Sequence, residues 1–377
     1  MPPKRKKMII LTTLIILTIA ALLLLYWLIW GQFEEYTDDA YVGGNTVIIN
    51  SQINGIVSAI YTDNNDFVQK GQLIVLLDST DAALALEKRE AELANTVRQV
   101  VQLFEKVVEM QAQVVTREAE VARAFLDFEH RRGLVEVGGV SVEDFEHAEI
   151  ALAVAEAELL LSQAQLESVR AEVGNTTVET HPIVNVAKEN VREAWVTLQR
   201  CRLIAPVDGI AAQRKTQVGQ QIRPGETLLW IIPFDEMWVD ANYKETQLKN
   251  LRIGQEVKVK SDLYGRAARY HGKIEGIAGG TGSVFSLIPP QNATGNWIKI
   301  VQRLPVRIKL DPEELKKHPL RLGISMEVTT DTHDRSGHVL PLAAPLRPLY
   351  QTDVYQNQTA GVNERITYII RDNIWIH

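Results

Sequence analysis

The sequence has almost none of the residues from which metal and redox sites are built. Its 377 residues include a single cysteine, Cys201, which excludes an internal disulfide framework and any multi-cysteine metal site. The eight histidines are scattered and form no HxxxH or HExxH pair. We therefore expect no metal and no cofactor. Cys201 follows Ala194 and Leu198 at helical spacing, which predicts a small buried apolar side chain.

Catalytic groupings are also lacking, and the net charge has the wrong sign for binding nucleic acid. The formal charge is −7, so we expect no nucleic-acid partner. No nucleophile–base pair or close carboxylate pair emerges, since Asp38 and Asp39 are adjacent and would point to opposite faces of a strand. The glycine-rich stretch 279–282 lacks the lysine and the following helix of a phosphate-binding loop. The sequence does not predict an enzyme.

One long hydrophobic run is present, at the N-terminus. Residues 4–7 are all Lys or Arg, and an uncharged apolar run follows from Met8 to Trp30. Its length suffices to cross a hydrocarbon core of about 30 Å. The basic cluster should remain in the cytoplasm, so we expect segment 1–31 to be a single-pass anchor in the inner membrane of a bacterium, with the bulk of the chain in the periplasm. A cleaved signal peptide and a buried helix are the alternatives.

Residues 79–202 carry a strict seven-residue apolar repeat. Such a repeat keeps one stripe on a slightly underwound helix, and a second helix must cover that stripe. A glycine-rich reversal at 133–139 separates the two series, which predicts an antiparallel hairpin with its tip at 131–141. Its first arm, 80–132, would be about 80 Å long, and its second arm is interrupted at 174–182. The predicted seam residues are Leu86, Leu93, Val100, Val107, Val114, Val121, Phe128, Phe145, Leu152, Leu159 and Leu166.

Two short segments on either side of the hairpin repeat one another. Gly55 and Gly71 are sixteen residues apart, and Gly209 and Gly225 have the same spacing. The segments 51–78 and 203–235 are too short to form separate cores, so we expect them to pair into one sheet structure.

The remaining sequence alternates polar and apolar residues, as the strands of a small antiparallel barrel do. This pattern covers 236–332, and we expect the strand region 36–50 to contribute to the same barrel. The connecting segment 245–251 suits one short helix. Pro341, Pro345 and Pro348 favour an extended C-terminal tail over 333–377.

Two half-motifs of the form x-G-x-V…V-x-x-G-x-x-L resemble a biotinyl/lipoyl-type β-sandwich, here interrupted by the hairpin. A lipoyl domain split in this way is similar to the membrane fusion proteins of the HlyD/EmrA family, and to the EmrA-type adaptors in particular. The segments 36–42, 237–247 and 280–306 carry the resemblance. It implies an elongated multidomain α+β fold with a split lipoyl-like β-sandwich, a long antiparallel α-helical coiled-coil hairpin, a small antiparallel β-barrel and one N-terminal transmembrane helix.

The resemblance also implies a function. Such a protein would be the periplasmic adaptor of a tripartite multidrug efflux pump, working as a homo-oligomer between an inner-membrane major-facilitator drug/proton antiporter and an outer-membrane TolC-like channel. The alternative is a type I polypeptide secretion system with an ABC exporter. In adaptors an Arg–Leu–Ser spacing at the tip docks on the channel, which points to Arg131, Leu134 and Ser141. His130 occupies the expected arginine position, and Ser141 also suits a helix cap.

Overall fold

The computed structural model describes residues 3–29, 31–265, 268–282, 284–285, 300–342 and 344–374. Much of the 280–306 segment, from 286 to 299, therefore lies outside the described residues. The helices are α1 (Pro3–Ile29), α2 (Thr80–Val135), α3 (Val142–Val173), α4 (Pro182–Arg200), α5 (Pro312–Lys317) and α6 (Val362–Ile374). The strands are β1 (Glu34–Gly44), β2 (Val47–Asn50), β3 (Gly55–Ile60), β4 (Phe67–Val68), β5 (Leu73–Leu77), β6 (Arg202–Ile204), β7 (Gly209–Ala212), β8 (Gln221–Ile222), β9 (Thr227–Ile232), β10 (Met237–Lys244), β11 (Glu256–Ser261), β12 (Arg269–Ile277), β13 (Arg303–Leu310) and β14 (Ser325–Asp331).

The N-terminal helix α1 stands apart from the protein core. The stretch Leu11–Phe33 is long and apolar enough to cross a bilayer, judged by its length and composition, and its side chains from 11 to 27 are exposed. An apolar helix with no protein surface to cover it is suited to lipid. The predicted anchor is thus a candidate membrane span.

Six antiparallel strands form a closed barrel in the order β1-β10-β13-β12-β11-β14. Alternate residues of each strand fill its interior, as in β10, where Val239, Ala241 and Tyr243 are fully buried. The buried Tyr243 hydroxyl forms a hydrogen bond of 2.7 Å with Thr330 Oγ1. The antiparallel barrel predicted from the alternation is confirmed, while segment 245–251 contains a single 3₁₀ turn, Leu248–Asn250, where a short helix was expected.

Only the first part of the strand region 36–50 contributes to the barrel, through β1. The chain leaves the barrel at the end of β1, and β2 pairs with β9 in a different sheet, with Ile49 opposite Leu229. Ile49 is buried in that second core, and the Asn45 side chain between the two strands donates a hydrogen bond of 2.8 Å to Glu236 Oε2. Burial of Ile49 therefore decides the sheet to which β2 belongs.

Two four-stranded sheets form a sandwich from both halves of the repeat. Their orders are β2-β9-β7-β4 and β6-β5-β3-β8, so each sheet contains strands from before and after the helical insertion. Val68 pairs with Gly209, and Gly55 pairs with Ile222. The split lipoyl-like sandwich is confirmed. Cys201 is buried in its core, and burial raises the pKa of the Cys201 thiol.

The three long helices make the hairpin. One arm is the continuous 56-residue α2, and the other consists of α3 and α4 with an interruption from 174 to 181. The interruption is itself ordered by hydrogen bonds. Thr177 and Thr180 form a capping box, and Nδ1 of the buried His181 accepts a long hydrogen bond from the Ile183 amide, which caps α4.

The expected extended tail over 333–377 is wrong for its last described part. Residues 333–342 and 344–350 are irregular, but α6 is an amphipathic helix packed on α2 and α4. Val362, Ile366, Ile369 and Ile370 form its buried stripe, with helical spacing. The three prolines at 341–348 act only on the segment before this helix.

Candidate functional site: the hairpin and its tip

The seam of the hairpin follows the seven-residue repeat. Near the root of the hairpin, Leu86, Leu93 and Val100 are buried, and Leu93 is 0% exposed. Farther out, the repeat residues of both arms are buried or half-buried between α2 and α3. Close to the tip, the rings of Phe128 and Phe145 stack with their centroids 5.3 Å apart. The arm is therefore held together along its whole length by side-chain packing across the two helices.

The tip itself is a compact turn after α2. The amide of Gly139 donates a hydrogen bond of 2.8 Å to the Leu134 carbonyl, and that of Gly138 donates one of 3.1 Å to the Val135 carbonyl. Gly138 has a φ of +73°, a conformation that a side chain disfavours. Glycine at this position lets the chain reverse within a few residues.

Two of the three predicted docking residues are engaged within the tip. Ser141 caps α3, since its Oγ accepts a hydrogen bond of 3.1 Å from the Asp144 amide and donates one of 2.6 Å to the Asp144 carboxylate. These bonds lower the pKa of Asp144. Arg131 donates to the Asp144 carbonyl at 3.0 Å and pairs with Asp127 at 3.2 Å. Both side chains thus hold the start of α3 against the end of α2.

Leu134, the third predicted residue, is largely free to meet a partner. It is 45% exposed, and on the same end of the hairpin Val137 is 78% and Val142 is 64% exposed. Sequence reasoning missed Val137 and Val142, although apolar residues inside a glycine-rich reversal were a readable signal. Together the three side chains form an exposed apolar tip that has no core to cover it.

At the root of the hairpin, the four repeat glycines fall into two geometrical pairs. Gly71 and Gly225 have φ values of +83° and +84°, and their amides donate equivalent hydrogen bonds to Ala205 and Ser51. Gly55 and Gly209 lie at strand starts. A Cβ on Gly209 would be 2.5 Å from the Ile232 carbonyl oxygen, whereas one on Gly55 would meet only the Leu77 side chain, at 3.2 Å. The repeat in sequence is therefore not an exact repeat in packing.

A membrane-span candidate, a closed barrel, a split lipoyl-like sandwich and a long helical hairpin inserted in it define the membrane fusion proteins, a class of elongated adaptors. The family model for the EmrA α-helical hairpin domain matches residues 80–201, and the model for the AAEA-like β-barrel domain matches residues 236–331. The chain belongs to the EmrA family of multidrug export proteins.

Relatives with this architecture come from several bacteria. The chain is 43% identical over 349 residues to the multidrug export protein EmrA of Escherichia coli (strain K12), covering 92% of this chain and 89% of that protein. It is 44% identical over 297 residues to the fatty acid resistance protein FarA of Neisseria gonorrhoeae, covering 78% and 75%. A solved structure of the periplasmic adaptor protein EmrA matches with 21% identity and a TM-score of 0.39, covering 80% of this chain and 99% of that one.

Proposed function

We propose that this chain is the periplasmic adaptor subunit of a tripartite multidrug efflux pump. It links an inner-membrane major-facilitator drug/proton antiporter to an outer-membrane TolC-like channel. The observation that carries this proposal is the exposed apolar tip at the end of α2, a helix about 84 Å long at 1.5 Å per residue. A hairpin of this length buries few side chains apart from those of its own seam. Its role is therefore to place the tip far from the barrel.

Exposed apolar side chains on the outer faces of α2 and α3 support self-association of the chain. Val108 and Val115 on α2 are 64% and 60% exposed, and Ile150, Val154 and Leu161 on α3 are also exposed. Apolar side chains in rows along a helix are suited to burial against another helix. Neighbouring copies of the chain would cover them if several hairpins stood side by side in a ring.

The proposed orientation places the N-terminus in the cytoplasm. The four basic residues at 4–7 precede the apolar helix and should stay on the cytoplasmic side, which sends residue 31 onward into the periplasm. A cysteine introduced at the exposed position Gln113 is then expected to react with a membrane-impermeant maleimide in intact cells whose outer membrane has been permeabilised. The same cysteine reacting only after inner-membrane lysis would reverse the orientation. Native Cys201 is buried, so the unaltered chain is the unlabelled control.

Contact with the channel can be tested by photo-crosslinking in cells. A photoreactive residue at Leu134 or Val137 should capture an outer-membrane channel, because both side chains are exposed at the tip. The matched control is Leu84, which is 59% exposed near the root of α2 and should capture no outer-membrane protein. Capture at Leu84 but not at the tip would contradict the proposed docking.

The inner-membrane partner separates this proposal from polypeptide secretion with an ABC exporter. Relatives named for multidrug export and fatty acid resistance support small amphipathic cargo. Purification of the crosslinked full-length chain should therefore recover a major-facilitator transporter. Recovery of an ATP-binding exporter instead would select the secretion system.

A further inference from the structure

The last part of the chain that the structure describes contacts the barrel, the sandwich and the hairpin in turn. We call residues 332–342 and 344–374 the C-terminal strap. The strap leaves the barrel at Thr332, whose buried hydroxyl donates a hydrogen bond of 2.7 Å to the Phe33 carbonyl. His338 then accepts a hydrogen bond of 2.9 Å from the Ile253 amide, and Leu349 and Tyr350 border a groove on the barrel wall.

The strap next attaches to the lipoyl sandwich. Thr352 Oγ1 donates a hydrogen bond of 2.8 Å to the Pro206 carbonyl, and Asp353 forms an ion pair of 2.6 Å with Lys70. Lys70 belongs to the first half of the sandwich and Pro206 to the second. The strap therefore touches both halves before it reaches the hairpin.

Its end, α6, is the third helix at the root of the hairpin. The α6 stripe is at most 7% exposed and packs into one cluster with Leu93 and Val97 of α2 and Val191 of α4. Trp195 of α4 lies beside Gly361, and its indole nitrogen is buried without a hydrogen-bond partner.

Polar contacts fix the register of α6 at both of its ends. Arg365 makes a bidentate pair with Glu90 of α2, with N–O distances of 2.9 and 2.7 Å, and the Glu90 side chain is only 16% exposed. Arg192 of α4 donates to Asn363 at 3.0 Å, and Arg98 of α2 donates to Asn373 at 2.5 Å. Planar bidentate pairs restrict both position and angle.

The way in which the hairpin is connected to the sandwich explains what the packing of α6 on the hairpin does. The hairpin joins the sandwich through two chain crossings, at 78–80 and 200–202, and two crossings leave an arm free to tilt about the line between them. The strap is a third attachment, anchored on the barrel and sandwich at one end and, at the other, on the arm between Leu86 and Val100 of α2, beyond the crossings. We propose that the C-terminal strap is a positioning element that fixes the direction of the hairpin, with Glu90 and Arg365 setting its register.

The test is a distance measurement on the full-length chain in a lipid nanodisc. Spin labels at the exposed positions Gln113 on α2 and Val218 on the sandwich report the tilt of the arm. The unaltered strap should give one narrow distance distribution. Ile366→Asp with Ile370→Asp places two charges in the apolar cluster and should broaden the distribution and shift Trp emission to longer wavelength as Trp195 becomes hydrated.

Matched variants keep the result interpretable. Thr367→Asp with Arg371→Asp places the same two acids on the exposed face of α6, away from the Glu90–Arg365 pair, and should leave the distribution narrow. Glu90→Arg and Arg365→Glu should each broaden it, and the two together should restore it. If the double-aspartate chain does not fold by circular dichroism, this charge exchange decides the question. If the folded variants predicted to broaden the distance distribution give one as narrow as that of the unaltered chain, the proposal is wrong.

Only one consequence of this inference, a change in drug resistance in cells, rests on the proposed efflux function. Loss of arm direction should lower drug resistance, because the tip would reach the outer membrane less often. If the unaltered chain confers no resistance, the efflux proposal fails while the distance measurement still decides the strap. If resistance is present but the widths never change, the strap proposal alone fails.

Discussion

Leu134→Asp is expected to abolish export while leaving the chain expressed, folded and anchored. Leu134 lies at the exposed apolar tip and outside the seam, so the substitution removes little from the fold. In contact with a channel, the new carboxylate would be buried without a partner, which costs about 3 kcal/mol or more, corresponding to a loss of affinity of at least about 100-fold. Minimal inhibitory concentrations of exported drugs in cells lacking the native gene measure the effect.

The control for Leu134 is Leu84→Asp. Both residues are exposed leucines on α2, but Leu84 lies near the root of the hairpin. Resistance should be retained in the control, and crosslinking at Val137 should be lost only in the tip variant. Full resistance with Leu134→Asp at normal expression would mean that the tip does not dock through this side chain.

Gly209→Ala is expected to open the sandwich that joins the two halves of the chain. The added Cβ would lie 2.5 Å from the Ile232 carbonyl oxygen and 2.8 Å from Ile231 Cγ2, so β7 and β9 must move apart. Overpacking of this kind costs roughly 1–3 kcal/mol, and here the clash is with backbone that cannot change rotamer. Hydrogen–deuterium exchange of the β7 and β9 amides should rise about 5- to 150-fold, which is that free energy expressed as a ratio.

The repeat supplies the matched control for this prediction. Gly55 has the equivalent place in the first half, but its added Cβ would lie 3.2 Å from Leu77 Cδ1 and 3.3 Å from Leu77 Cβ, tight contacts that a shift of a few tenths of an ångström relieves. Gly55→Ala should leave exchange of the β3 and β5 amides nearly unchanged. If Gly209→Ala and Gly55→Ala raised amide exchange equally, the difference in packing around the two glycines would not govern stability.

The parts predicted best are those that follow from a local period. The seven-residue repeat from Leu86 to Phe128 needs only one covering helix, so pattern and structure correspond directly. The barrel strands follow from alternation in the same way, and the paired glycines revealed the split sandwich. The seven-residue repeat, the alternation and the glycine spacing can each be recognised without knowing how distant elements pack.

The missed parts depend on long-range choices. Residues 47–50 are a short apolar run that suits either sheet, and only the place of Ile49 in the sandwich core assigns them. The stripe of α6 was readable, but the prolines before it drew attention to an extended tail. The docking role of Arg131 stays a prediction, and the hydrogen bond that Arg131 donates to the Asp144 carbonyl across the turn could be found only in the structure.

By itself, the sequence determined that this protein has an apolar segment long enough to span a membrane, a long helical hairpin, and two β segments that pair with each other. Charge, apolar run length and periodicity act between neighbours along the chain and can be read without coordinates. The tertiary structure alone decided where the chain changes sheets, which tip side chains remain exposed, and that α6 packs back against α2 and α4. In each case the same apolar residues could pack against more than one surface formed by residues distant in sequence. The arrangement that buries them best in three dimensions is the one adopted.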